Sequence, residues 1–162
     1  MPRLKRLSFY ALLISAILSL SACAWLDDKQ KDWIFSVSDR AWGGYAGNAG
    51  YDEVFIPVGN NEQIHAWWAK ASGPAPDAPT LLYLHGSRWN LSGSATRIAR
   101  WQGRGFNVLA IDYRGFGKST GRIESEAQLH ADVRAAWATV AERYAGRKIV
   151  IYGRSLGTGL AA

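Results

Sequence analysis

The residues best suited to chemistry lie near the end of the chain. Ile149-Val150-Ile151-Tyr152 is a short apolar and aromatic run that reads as a buried parallel strand. It leads straight into Gly153-Arg154-Ser155-Leu156-Gly157, the G-x-S-x-G spacing of a nucleophile elbow. In that pattern a serine sits on a tight strand-to-helix turn, with its hydroxyl raised above the sheet where it can attack an electrophile. The strained serine backbone leaves no room for side chains two residues to either side, which explains both glycines. Leu156, Thr158, Leu160, Ala161 and Ala162 then start a helix.

A serine needs a base, and the three histidines are poor candidates. His65 alternates with core positions in a strand. His85 ends another strand and reads as structural. His130 shares the polar face of a helix with Glu126 and Arg134. Asp112 reads as a turn residue rather than a catalytic carboxylate. No cluster has metal-ligand spacing, so no metal and no cofactor is expected. Gly117-Lys118-Ser119 resembles the end of a P-loop, but Asp112 stands where the first glycine is required. Gly157-Thr158-Gly159 followed by Ala162 imitates a dinucleotide fingerprint, but its first glycine already serves the elbow.

These residues need a frame. Tyr51–Val58 and Gln63–Lys70 alternate like strands, with Val54, Ile56 and Val58 on one face of the first and Ile64, Ala66 and Trp68 on one face of the second. Gly59-Asn60-Asn61-Glu62 joins them as a hairpin. The proline-rich stretch 72–79 is a loop. Thr80–Leu84 is a buried strand ending at His85-Gly86. The helix after it should be capped by Ser92 or Ser94, carry Ala95, Ile98, Ala99 and Gln102 on one face, and end at Gly103 or Gly105. Phe106–Ile111 is the next strand and opens into Asp112-Tyr113-Arg114-Gly115-Phe116-Gly117-Lys118-Ser119. Ser125 and Gln128 fit a capping box for a second helix, closed at Gly146. Its apolar stripe includes Leu129, Val133, Ala136, Trp137, Val140 and Tyr144. Strand, helix, strand, helix, strand predicts a parallel sheet with right-handed crossovers.

With the hairpin, His85-Gly86, Asp112–Ser119 and the Ser155 elbow in this order, residues 51–162 resemble the α/β-hydrolase superfamily. They are most similar to its branch of small serine hydrolases with lysophospholipase-like and depalmitoylase-like members. The resemblance implies a mostly parallel sheet with helices on both faces. It implies that Ser155 attacks an ester or similar acyl carbon, with oxyanion donors from the main-chain N–H of Leu156 and of Ser87. The loop reads Ser87-Arg88-Trp89-Asn90, where relatives carry Asn and small residues. Trp89 either lines an acyl pocket or covers the loop. In this fold the acid and the histidine follow the serine. Only seven residues follow Ser155, none of them Asp or His. Losing a triad typically costs ~10⁶ in turnover. The expectation is therefore an N-terminal piece of a longer serine esterase, itself nearly inert, with Ile149–Tyr152 an exposed edge. A serine aminopeptidase on the same fold and a non-catalytic envelope protein that binds through the scaffold are the alternatives.

The beginning of the chain points to the membrane. Arg3, Lys5 and Arg6 precede the apolar run Leu7–Leu20, which is short for a membrane span. Leu20-Ser21-Ala22-Cys23 resembles a bacterial lipobox, in which the signal (residues 1–22) is removed and Cys23 is lipidated. Cys23 is the one cysteine in the chain, so no disulfide can form within it. Residues 23–50 would tether the body to the membrane. Ala24 after the cysteine favours the periplasmic face of the outer membrane of a Gram-negative cell. The full chain carries a net charge of +6. Residues 23–162 keep 16 basic against 13 acidic side chains with no basic run, so no nucleic-acid partner is expected. The expected partners are a small-molecule or lipid-like acyl substrate and the membrane.

Overall fold

The structure is a computed structural model that describes residues 2–35, 37–38, 50–73, 77–144 and 146–162. It divides into two compact units, Met1–Ser36 and Val37–Ala162.

The first unit is one helix, α1 (Pro2–Phe35). No glycine or proline follows Pro2 within it, and Ala, Leu, Lys and Gln keep it helical. It therefore passes through Cys23 without a break, where the sequence suggested a tether beginning at that residue. Cys23 is exposed on it. Phe9, Leu12, Leu18 and Leu20 are all more than half exposed. The stretch Phe9–Asp27, with mean hydropathy 2.0, is long and apolar enough to cross a membrane by length and composition. The apolar run thus extends beyond Leu20, because Ser21, Ala22, Cys23 and Ala24 are tolerated between Leu20 and Trp25. A signal sequence passes the same test. The rest of the expected tether, residues 39–49, lies outside the described residues.

The described residues of the second unit form five strands: β1 (Tyr51–Gly59), β2 (Glu62–Ala69), β3 (Thr80–Leu84), β4 (Asn107–Ile111) and β5 (Ile149–Gly153). Their order across the sheet is β1-β2-β4-β3-β5. β1 pairs antiparallel with β2, and β2 antiparallel with β4, whereas β4, β3 and β5 run parallel. Asn60 (φ 50°) and Asn61 (φ 58°) both take the left-handed conformation in the hairpin. That is the type I′ signature, which matches the strand twist.

Among the described residues of this unit there are three helices: α2 (Leu91–Gln102), α3 (Glu126–Arg143) and the short α4 (Leu156–Leu160). Helices cover both faces of the sheet. Under α2 lie Trp67, Leu81, Tyr83, Val108 and Ala110, with Leu91 and Ile98 from the helix. Under α3, Tyr144 stacks on Trp68, ring centres 4.7 Å apart. Burial of both faces explains why β2 does not alternate. Its residues from Ile64 to Ala69 are all buried, including His65, which alternation alone would have placed outside.

Two helix details differ from expectation. The cap of α2 is Asn90, whose side chain accepts the Ser92 N–H at 3.1 Å, not Ser92 or Ser94. The buried face is Leu91, Ser92, Ser94 and Ile98, and Ala99 is exposed. On α3 half of the box forms as expected: Ser125 accepts from the Gln128 N–H, while the Gln128 amide oxygen accepts from the Glu124 N–H at 2.6 Å, one residue before the cap, rather than from the Ser125 N–H. Trp137, expected in the stripe, is 39% exposed. Asp132 occupies the buried face instead.

Candidate active site

β5 carries the chain up the edge of the sheet and releases it at a sharp bend. Ser155 sits there at φ 52°, ψ −118°, and is exposed. This is the left-handed half of backbone space, costly for any residue with a Cβ, so the expected strain is present. Two contacts enforce it. A Cβ on Gly153 would lie 2.0 Å from the Gly157 carbonyl oxygen, and one on Gly157 would lie 2.4 Å from the Leu84 carbonyl oxygen. The glycines are therefore needed for a different reason from the one expected. They clear the next turn of backbone and the neighbouring strand, not Ser155 itself. The Arg154 N–H donates to the Leu84 carbonyl at 3.0 Å and locks the bend to the end of β3.

The loop after β3 lies beside this serine. A Cβ on Gly86 would come within 3.0 Å of the Ser155 Cβ and 3.2 Å of the Arg154 carbonyl. Ser87 and Leu156 are half-buried, and among the described residues neither main-chain N–H donates to another protein group. Trp89, next along the loop, is half-buried and lies against the Arg154 side chain.

The three histidines are placed elsewhere, two of them around one carboxylate. Asp112 is fully buried at the end of β4. It accepts the Leu91 N–H at 2.8 Å, and lies 3.2 Å from His85 Nε2 and 3.3 Å from His65 Nδ1. Its own carbonyl accepts the Ser119 hydroxyl at 2.8 Å. The turn residue of the sequence reading is thus the buried anchor joining β2, β3, β4 and the start of α2. Burial pushes the Asp112 carboxyl up, but the His65 hydrogen bond and the adjoining His85 imidazole outweigh it and hold the group below its ordinary range. The second nitrogen of His85 is 2.7 Å from the Gly86 carbonyl, and its ring packs against Tyr113 and Phe116. His85 Nε2 comes close to Asp112 without hydrogen-bond geometry, so Nδ1 and the ring packing hold the side chain, in keeping with a structural role. His65 Nε2 faces Glu53 at 3.3 Å, and Glu53 also takes the Lys118 ammonium. The hydrogen bond to Lys118 is the main reason that Glu53 is held below the ordinary range. His130 stays on α3 beside Glu126, 3.7 Å away.

Sequence reasoning missed one buried ion pair. Arg114, from the loop after β4, meets Asp132 of α3 at 2.7 and 2.9 Å and Glu62 at 2.9 Å. Burial works against the Arg114 charge, but Asp132 and Glu62 outweigh it and hold the guanidinium charged. An acidic residue between Leu129 and Val133 on the apolar stripe was the available signal. Among the described residues, no group of His, Cys, Asp or Glu is arranged to hold a metal ion.

Strand order, helices on both faces and the serine-bearing bend define the α/β-hydrolase fold. A family model described as serine aminopeptidase, S33 matches residues 75–162, and the chain belongs to that family within the α/β-hydrolase superfamily. Among curated relatives it is 32% identical over 138 residues to alpha/beta hydrolase domain-containing protein 17B of Xenopus tropicalis, covering 82% of this chain and 46% of that protein. It is 35% identical over 110 residues to the Escherichia coli (strain K12) protein YfhR, covering 65% of this chain and 38% of that one. Among solved structures, the Pyrococcus furiosus esterase Pf2001 superposes with a TM-score of 0.61 at 24% identity, over 77% of this chain and 47% of that one, which shows the shared fold. The chain spans less than half the length of the curated relatives it matches.

Proposed function

We propose that the protein is a serine hydrolase that cleaves ester bonds through an acyl-enzyme on Ser155. The observation that carries this reading is the bend itself: an exposed serine at φ 52° with Gly86 against its Cβ. The hydroxyl oxygen of Ser155 would attack the acyl carbon, and the alcohol would leave with a proton. The Ser87 and Leu156 N–H groups would receive the charge that builds on the carbonyl oxygen. Such fixed donors are each worth ~3 kcal/mol in the transition state. None of the three histidines is offered to Ser155, because the ring nitrogens of His65 face Asp112 and Glu53, those of His85 face Asp112 and the Gly86 carbonyl, and His130 stays beside Glu126. The base is expected from elsewhere in the whole protein. The 162 residues alone are expected to turn over very slowly.

The test is a fluorophosphonate probe on the full-length protein. Labelling should appear, and Ser155→Ala should abolish it. Absence of labelling in a folded, full-length protein would favour a scaffold that binds without catalysis. The description of the matching family supports a second reading, an aminopeptidase. Faster release from an aminoacyl 4-nitroanilide than from a 4-nitrophenyl ester would select it.

The reading also includes an anchor. Cys23 would be lipidated after removal of residues 1–22 and would hold the enzyme at the cell envelope, with the outer membrane favoured. The Leu20-Ser21-Ala22-Cys23 sequence on an exposed apolar helix supports it. Metabolic labelling with an alkyne fatty acid should mark the protein, and Cys23→Ala should remove the mark. Equal labelling of both would end the idea.

A further inference from the structure

The two stretches of sequence that carry the Ser87 loop and the Ser155 bend are basic. Residues 78–111 contain Arg88, Arg97, Arg100 and Arg104 with no Asp or Glu, and residues 143–162 contain Arg143, Arg147, Lys148 and Arg154, again with no Asp or Glu. Two of these side chains converge on one ring. The guanidinium carbon of Arg97 lies 5.5 Å from the centre of the Trp89 ring, and that of Arg154 lies 5.6 Å from it. Trp89 comes two residues after Ser87, and Arg154 immediately precedes Ser155. Arg154 therefore reaches the ring from the residue before the candidate nucleophile, and Arg97 reaches it from α2.

Among the described residues, no carboxylate pairs with Arg88, Arg97 or Arg154. The contrast with Arg114 is instructive. Where this fold uses an arginine to hold itself together, it supplies Asp132 and Glu62. A guanidinium resting on an indole is oriented by the ring but keeps its charge. Its N–H edge remains available for a planar or tetrahedral oxyanion.

We propose that Arg97 and Arg154, held on Trp89, form an anion subsite beside Ser155, so that the preferred ester carries a carboxylate or phosphate group. The inference rests on the acyl-hydrolase reading and adds the substrate class. It also gives Trp89 a task, as the platform that fixes the two cations.

The test uses the full-length protein and two matched pairs of esters. One pair is 4-nitrophenyl butyrate and mono(4-nitrophenyl) glutarate, which differ by a carboxylate on the acyl side. The other is a monoacylglycerol and its 3-phosphate, which differ by a phosphate on the leaving side. The anionic member of at least one pair should have the higher kcat/KM, by about ten-fold. Arg97→Gln and Arg154→Gln should each shrink that ratio several-fold, added salt should shrink it too, and Arg97→Lys and Arg154→Lys should retain most of it. The pair that shows the preference tells on which side of the scissile bond the anion lies. Hydrolysis with a ratio that both glutamine variants leave unchanged overturns the subsite alone. Failure to hydrolyse any ester, together with failure of Ser155 to label, overturns the acyl-hydrolase reading and the subsite with it.

Discussion

Ser155 is held in a conformation it would not choose, and the cost can be measured. At φ 52° and ψ −118° a glycine would sit without strain. Ser155→Gly should therefore raise stability by about 1 kcal/mol even as it removes the reactive hydroxyl, read as a higher midpoint in urea unfolding. No gain would mean that the bend stores no strain. The neighbouring glycines should respond in the opposite sense. Gly157→Ala places a methyl group 2.4 Å from the Leu84 carbonyl oxygen, backbone that cannot swing aside. A loss of about 1–3 kcal/mol, or failure to fold, is expected from such overpacking, and a neutral result would contradict the packing of α4 on β3.

At the scale of elements, the starts of the two longer helices of the second unit are legible to different degrees. Ser125 and Gln128 announce α3 because both partners of the box lie within four residues. α2 is less plain, since Asn90, Ser92 and Ser94 all have capping chemistry. Asn90 takes the role because Asp112 holds the Leu91 N–H and the Ser38 carbonyl accepts the Asn90 amide at 3.2 Å, fixing that turn in place. Asn90→Ala should cost about 1 kcal/mol through the cap, whereas Ser92→Ala should cost less, because its hydroxyl donates to the cap rather than forming it. Equal losses in chemical denaturation would mean that the helix starts elsewhere. β5 was read as the exposed edge, and among the described strands it pairs with β3 alone, with Ile149, Val150 and Ile151 half-buried.

For the molecule as a whole, acid should be the weak side. Asp112 is held below its ordinary pKa in the folded state. A group with a lowered folded pKa contributes stability that is fully present above its unfolded value, about 3.9 for aspartate, and is lost as the pH falls through the folded value. Glu53 is shifted in the same direction, though its exposure makes its share smaller. Unfolding midpoints measured from neutral pH downwards should therefore fall most steeply below about pH 4. Asp112→Asn should lower stability at neutral pH by about 2–4 kcal/mol and flatten the acid limb. A variant that loses stability but keeps the same steep acid limb would show that other carboxylates govern the transition.

What the sequence determined by itself was local. The hairpin, the strand–helix alternation, the Ser125 cap and the serine between two glycines each depend on residues a few positions apart, and each is present in the structure. What only the tertiary structure decided involves residues far apart in the chain. His65 and Asp112 stand 47 positions apart yet share a hydrogen bond, and Arg114 meets Asp132 and Glu62 across three elements. The sheet order that puts β3 between β4 and β5 also presses Gly86 against Ser155 and draws Arg97 and Arg154 onto Trp89. Periodicity shows which face of an element is apolar. Which polar groups meet is fixed only when those faces pack and every buried charge has to find a partner.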